Sequence, residues 1–501
     1  MVITSFLFMS LLSISILIYY IVPRRFQWIA LLVYSIVFFV LSSTPYTSIY
    51  LLVSILSTHF CAHGIYRCAD QRRKSKRYLI AGILVNAGML AALKYSNFAV
   101  NNINVILYRF GITQPIPNVS LLAPLGISFY TLQVIAYLVD VYGGITAPDK
   151  SVFKTALFVG FYPQLTSGPI AKHEEMSRQL FEGHCFDADN LLYGMQRILW
   201  GVFKKIVISA RLGIIVDTIY EDVVLYNGLY IWIAAAFFLL QLYTDFSGCM
   251  DIVIGASECY GIILPENFRR PFFSRSVQEF FQRWHITLGG WLRDYIMYPV
   301  SRTGLWRKMA RKINKKIPSY LAMLIVWLLF GLWHGGHWKY VIGEGLFCYS
   351  CILLGKLYEP LFKWLIQKLH IQVNTISWRI FQSVRVFVLL SIANMFFRLK
   401  NIKETLRALK YGITHWNPWI LLDDSLYELG LSAKNVRLLL SCLVVLFIVD
   451  LLGEKYDLRK EIAKQNLVFR WIVWGTLLFS VLIFGYYGTG YDAESFIYGN
   501  F

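Results

Sequence analysis

The chain has 501 residues, of which 57% are hydrophobic, 17% aromatic and 15% charged, with a mean hydropathy of +0.53. A soluble protein is about one quarter charged, so charge is too sparse here to coat a globule of this length. Disordered, fibrous and disulfide-stapled secreted classes are excluded on the same grounds. Apolar residues gather in runs of about 15 to 25, the length of a bilayer-spanning helix, and the chain reads as an all-α polytopic integral membrane protein.

The net charge is +19, from 48 basic and 29 acidic residues. The basic residues concentrate in short polar loops between apolar runs, the positive-inside pattern of a membrane protein. No separate basic domain exists to bind nucleic acid.

The first apolar run, residues 6–21, has no positively charged region before it and no small-residue cleavage site after it, so it reads as a retained helix. Pro23-Arg24-Arg25 follows, then a run to about Val40 and the turn Ser42-Ser43-Thr44-Pro45. A third run reaches about Cys61 and meets Arg67, Arg72, Arg73, Lys74, Lys76 and Arg77, with Asp70 the one acidic residue among them. The alternation of plain and basic loops places the N-terminus outside and this arginine-rich loop in the cytoplasm.

Further spans are expected over residues 79–93, 121–142, 151–161, 191–215, 229–243, 320–332, 338–357, 378–395, 438–452 and 468–484. That makes about 11 to 13 helices, several too short for a crossing of about 20 residues, which suits re-entrant or cavity-lining segments. Residues 302–316 carry seven basic residues and no acidic one and are expected in the cytoplasm, whereas residues 486–501 hold no Lys or Arg and are expected outside. Two termini outside require an even number of crossings, so at least one of thirteen candidates does not cross. No internal repeat or long linker interrupts the chain. Residues 1–501 read as one integral-membrane domain, with N-terminal helices over 1–78 and a motif-bearing core over 79–501. The eight cysteines are scattered, and Cys348-x-x-Cys351 within an apolar helix reads as packing, not redox or zinc chemistry.

Ionisable groups at membrane depth cost about 2.5 to 3.5 kcal/mol each on insertion scales and are functional suspects. Three regions hold them. Gln241-Leu-Tyr-Thr-Asp-Phe-Ser-Gly248, with Asp251 beyond it, reads either as a polar helix end or as the lining of a buried aqueous cavity. Residues 265–295 mix aromatics with Arg and Glu, too polar to span and too aromatic for a free loop, which suits an interfacial or re-entrant helical segment packed on the bundle. A lone histidine there, His285, reads first as a hydrogen-bonded structural residue. Leu332-Trp-His-Gly-Gly-His-Trp338 lies between two apolar helices. His334 suits general-base work there, since an imidazole titrates near neutrality, and it equally suits a helix cap. His334, His337 and Glu344 could ligate a metal, but their spacing is not H-E-x-x-H and no Cys/His cluster supports them, so no metal site is expected.

The ordered series of motifs resembles the membrane-bound O-acyltransferase (MBOAT) family, in the bacterial branch of alginate O-acetyltransferase membrane subunits and DltB-type D-alanyl-transfer proteins. It comprises Pro124-Leu-Gly-Ile-Ser-Phe-Tyr-Thr-Leu-Gln133 with Tyr137 and Asp140-Val-Tyr142, then Phe161-Tyr-Pro-Gln-Leu-Thr-Ser-Gly-Pro-Ile170. Tyr243, Asp245-Phe-Ser-Gly248 and Asp251 follow, with Pro265-Glu-Asn-Phe268, Trp284-His285 and Arg293-Asp-Tyr295. Trp333-His334-Gly335, Met395-Phe-Phe-Arg398 and Phe496-Ile-Tyr498 complete it, so the likeness runs from about residue 80 to the C-terminus.

The resemblance implies an MBOAT-type fold around a central funnel or tunnel. It implies transfer of a short acyl group, acetyl in the first instance, from a cytoplasmic thioester to hydroxyls of an envelope or secreted polysaccharide. His334 is then the catalytic histidine, and His285 holds the second polar position. Asp245, Asn267, Trp284, Arg293 and Trp333 line or support the tunnel. No tightly bound cofactor is implied; the donor is acetyl-CoA or an acyl-carrier-protein thioester. The implied partners are the bilayer of a bacterial cell membrane, a polysaccharide or teichoic acid acceptor, and an extracytoplasmic transferase or a cytoplasmic acyl carrier protein. The branch follows its catalytic motif with Trp-Gly and a second His-Gly, where this chain has Gly343-Glu344-Gly345 and no histidine near Cys348. D-alanyl transfer to teichoic acid therefore stays open. A non-enzymatic carrier is the other class to weigh, and the absence of internal symmetry counts against it.

Overall fold

The computed structural model describes residues 3–312, 314 and 316–487. Among the described residues the chain is helical throughout, and the one β pairing is an isolated antiparallel bridge between Phe268 and Trp284. Nine of the described helices are long and apolar enough to cross a membrane: Arg24–Ser42, Pro45–Arg67, Arg72–Arg109, Leu229–Glu258, Lys316–His334, Trp338–Leu357, Ile376–Arg398, Ala433–Gly453 and Leu467–Phe484. Phe6–Ile21 and Ile127–Tyr142 are apolar but shorter. The chain is a polytopic all-α membrane protein, as its composition requires. The terminal match at Phe496–Tyr498 lies outside the described residues.

Several boundaries differ from the sequence reading; the helix expected over 229–243, for one, runs to Glu258, so the Gln241–Gly248 motif lies within it and does not end it. The basic cluster Arg72–Arg77 is not loop but the first turns of the 38-residue helix Arg72–Arg109, with only Cys68–Gln71 left to turn the chain. The helix expected from residue 121 starts at Ile127, because Gly126 adopts φ +73 and a Cβ there would lie 1.9 Å from the Leu165 carbonyl oxygen. Only glycine fits that corner. The span expected over 191–215 is broken into Ala188–Val202, a π-helical stretch Phe203–Ser209 and Ala210–Glu221. π-Helical bulges of this kind gather at functional sites.

The chain divides into two compact units, Met1–Ile198 with Cys249–Glu266, and Leu199–Gly248 with Asn267–Phe501. In the first, the two early motifs lock together. Gln133 Nε2 donates to the Phe158 carbonyl at 3.1 Å, and Gln164 Nε2 donates to the Pro169 carbonyl at 2.6 Å and to Gln133 Oε1 at 3.4 Å. Tyr162 exchanges hydrogen bonds with Ser15 at 2.9 Å and Tyr260 at 2.5 Å, tying the first helix to the motif. Asp251, Glu266 and Arg197 form a further cluster: Arg197 Nε lies 2.9 Å from Asp251, and its two terminal nitrogens reach both Glu266 oxygens at 2.7 and 2.6 Å. A bidentate fork of this kind is the strong form of an arginine–carboxylate pair.

In the second unit, glycines let three segments approach closely. A Cβ at Gly331 would meet the Tyr340 carbonyl oxygen at 2.7 Å, one at Gly345 the Trp327 carbonyl oxygen at 2.9 Å, and one at Gly343 the Phe396 Cβ at 2.2 Å. The π-helical stretch Val341–Phe347 is thereby packed against helix Lys316–His334 on one side and helix Ile376–Arg398 on the other. Small residues perform the same service wherever membrane helices touch backbone to backbone.

Gly331→Val is expected to lower stability by about 1–3 kcal/mol through overpacking against backbone, read as thermal unfolding in detergent. Gly355→Val, where a Cβ meets nothing within 4 Å, is expected to leave the midpoint unchanged or raised. Equal midpoints for the two variants would show that the close contact at Gly331 does not hold the unit together.

Candidate functional site

The glycine-mediated contact has a chemical consequence. Helix Lys316–His334 ends on His334, and Gly335 turns the chain so tightly that a Cβ there would lie 2.6 Å from the Tyr340 ring. The chain returns through Val341–Phe347, and Glu344 comes back onto the helix end with its Oε2 2.9 Å from His334 Nε2. His334 is 2% exposed and Glu344 7%. Ring edges close around the imidazole, with Phe330 at 4.7 Å, Trp333 at 5.1 Å and Phe397 at 5.6 Å between centroids.

His285 arrives from the segment expected to be re-entrant. That segment folds as short pieces, Val277–Arg283, Ile286–Leu292 and a π-helical turn Arg293–Met297, too short to cross. His285 stands between the first two in the left-handed region, at φ 50 and ψ 49, and is 1% exposed. Non-glycine residues held there store strain, which gathers at functional sites. Asn267 over-determines the conformation. Its Oδ1 accepts from the Thr287 N–H at 3.1 Å and the Thr287 hydroxyl at 3.0 Å and lies 3.4 Å from His285 Nδ1, while its carbonyl accepts from the Ile286 N–H at 3.0 Å. Burial, with His334 adding to it, pushes the His285 imidazole well below its ordinary pKa, so at neutral pH it is an uncharged hydrogen-bonding group.

Trp333 joins the two histidines. Its ring lies edge-on to His285 at 5.4 Å and to His334 at 5.1 Å, and Phe246 closes His285 from another side at 4.9 Å. His285, Asn267, Trp333 and His334 therefore come together. Of the other expected residues, Trp284 stacks on Phe280 at 5.2 Å and meets Phe268 edge-on at 5.0 Å, in an aromatic cluster with Tyr243. Arg293, 55% exposed, reaches its neighbour Asp294 at 3.0 Å.

Asp245 is buried and ion-paired to Lys205 on the π-helical stretch Phe203–Ser209. Around it, Lys204 Nζ donates to the Ser247 hydroxyl at 2.8 Å and the Tyr243 hydroxyl donates to Asp450 at 2.9 Å. A Cβ at Gly248 would meet the Gly201 carbonyl oxygen at 2.8 Å. The Tyr243–Gly248 motif thus fastens one helix to its π-helical neighbour. Among the described residues no group of three His, Cys, Asp or Glu is placed to hold a metal ion.

Two residues escaped the sequence reading in these roles. Glu344 enters the sequence reading as a possible metal ligand and as a departure from the family pattern, and a glutamate between two glycines ten residues past His334 is a usable signal for more. Lys205 lies inside an apolar run, where a charged residue calls for a buried partner.

A family model described as MBOAT, membrane-bound O-acyltransferase family, matches residues 146–398. The chain is 32% identical over 394 residues to a probable alginate O-acetylase of Pseudomonas aeruginosa, covering 76% of this chain and 72% of that protein. It is 31% identical over 326 residues to a probable alginate O-acetylase of Azotobacter vinelandii, covering 65% and 62%. A peptidoglycan O-acetyltransferase of Helicobacter pylori is 30% identical over 384 residues, covering 71% and 68%. The match thus spans 62% of the length of the Azotobacter relative.

Lys205→Met is expected to cost about 3–5 kcal/mol, because it removes the buried cation paired with Asp245, whereas Lys205→Met with Asp245→Leu recovers most of it. Thermal unfolding of the two purified variants in detergent checks this. A double variant no more stable than the single one contradicts the pairing.

Proposed function

The chain belongs to the membrane-bound O-acyltransferase family, and on that premise we propose that it is an O-acyltransferase that moves an acetyl group from a cytoplasmic thioester to hydroxyls of a cell-envelope or secreted polysaccharide. The observation that carries the reading is the meeting of two buried histidines, His334 and His285, around Trp333 within a polytopic membrane protein. Buried imidazoles in an aromatic, water-poor setting are suited to proton transfer at neutral pH. The relatives, two alginate O-acetylases and a peptidoglycan O-acetyltransferase by name, support acetyl as the acyl group and a polysaccharide as the acceptor.

In this mechanism His334 takes the proton of the acceptor hydroxyl while that oxygen attacks the thioester carbonyl carbon. The tetrahedral intermediate collapses by breaking the carbon–sulfur bond. The thiolate leaves and receives the proton from the imidazolium, so the base is regenerated. His285 is uncharged, and with Nδ1 turned to the Asn267 carbonyl oxygen its Nε2 is an acceptor, suited to orienting the attacking hydroxyl. The rings of Phe246, Phe330, Phe397 and Trp333 exclude water, which would otherwise hydrolyse the donor. The donor is acetyl-CoA or an acyl-carrier-protein thioester. The acetyl group reaches the polymer directly or through an extracytoplasmic transferase. The enzyme works in a bacterial cell membrane with both termini outside, in keeping with its loop charges.

Membranes containing the protein and labelled acetyl-CoA test the reading. His334→Ala is expected to abolish label transfer, and His285→Ala to lower turnover on the order of 10²–10⁴-fold at normal expression. A folded His334→Ala protein that acetylates polysaccharide at the wild-type rate overturns the catalytic assignment. Transfer of D-alanyl from a carrier protein in place of acetyl overturns the choice of acyl group and leaves acyl transfer standing.

A further inference from the structure

We infer that Glu344 is the positioning residue of His334, a carboxylate that sets the imidazole's tautomer and carries its positive charge while the acceptor hydroxyl is deprotonated; this rests on the acyl-transfer reading above. Four observations converge on it. The Glu344 carboxylate lies 2.9 Å from His334 Nε2, with both side chains buried. An ionised carboxylate is costly to bury without compensation, so one is retained beside an imidazole where a positive charge has to be met. The π-helical winding of Val341–Phe347 aims residue 344 at the helix end. Gly343 and Gly345, on either side of it, have no room for a side chain against Phe396 and Trp327. The backbone is thus pressed in from both sides at the residue that meets the histidine.

The chemistry follows from the contact. In this role Glu344 takes the Nε2 side of the ring, which leaves the lone pair on Nδ1, and Nδ1 takes the proton of the acceptor hydroxyl as its oxygen bonds to the thioester carbonyl carbon. The imidazolium so formed is stabilised by the carboxylate, which keeps its own charge state throughout, as in a Ser-His-Asp triad. When the carbon–sulfur bond breaks, the proton passes from Nδ1 to the departing thiolate. Glu344 touches neither substrate. It acts on kcat and leaves donor binding alone. His337, two residues beyond the glycine corner, is exposed and lies outside this contact.

Purified wild type, Glu344→Gln, Glu344→Asp, His334→Ala and the double variant His334→Ala/Glu344→Gln are compared with labelled acetyl-CoA over a range of donor concentrations. Glu344→Gln keeps the side-chain volume and is expected to lower kcat by at least about 10²-fold, with KM for acetyl-CoA unchanged. Glu344→Asp recovers part of the loss. The double variant is no slower than His334→Ala, because residues that act as a unit are not additive. Glu344→Gln at the wild-type kcat overturns the assignment, as does a double variant slower than His334→Ala by the full factor of the single change. If Glu344→Gln yields no folded protein, Glu344→Asp decides: a carboxylate drawn back by one methylene lowers kcat at unchanged KM, and wild-type kcat in that variant overturns the role. A wild type that transfers no label, or a His334→Ala protein that matches it, removes the acyl-transfer reading and this role together, an outcome distinct from a Glu344→Gln enzyme that matches an active wild type.

Discussion

Everything in this molecule answers to one constraint: a polar group inside a lipid-embedded protein has no water and must find its partner in the chain. The response is visible at several buried polar groups. Lys205 meets Asp245, Arg197 meets Asp251 and Glu266, Tyr243 meets Asp450, and His334 meets Glu344. Each pair joins stretches far apart in sequence or turns a helix end back on itself. The polar residues that a bilayer makes costly are therefore the ones that specify how the helices pack.

The same constraint shapes the site. An imidazole at the end of a helix is easy to place and hard to keep useful, since a solitary buried histidine merely loses its charge. Here the return of the chain through a glycine-flanked π-helical stretch brings a carboxylate to it, and Trp333 sets a second imidazole nearby whose backbone is strained and pinned by Asn267. Aromatic edges fill the remaining directions. Packing and chemistry share one set of contacts, so changes at Gly331 or Gly343 act on the histidine as well as on stability.

Much of this was legible in the sequence. Apolar runs bounded by proline and basic residues mark most of the helices, because a span of fixed length in a fixed solvent leaves a strong imprint. The histidines could be singled out because charge and imidazole are rare in such surroundings. Other features could not be read locally. The start of Ile127–Tyr142 depends on a glycine corner pressed against Leu165, and the partner of Lys205 on its π-helical stretch is Asp245, forty residues away. Asp245 itself reads equally as cavity lining or helix end until its partner is known, and the fold makes it a fastening. Arg293 belongs to a motif yet is exposed and pairs with its neighbour Asp294. Glu344 looked like a departure from a family pattern. What defines it is its tertiary contact with His334.

The most direct test of the account is a structure of the protein with a non-hydrolysable acetyl-CoA analogue bound. The account predicts that the carbonyl carbon of the analogue lies beside His334, leaving room for an attacking oxygen at about 3–3.5 Å, with His285 and Trp333 against the same space. An analogue whose acyl group binds in the membrane protein away from both histidines, with His334 still enclosed by Glu344, Phe330 and Phe397, would contradict it.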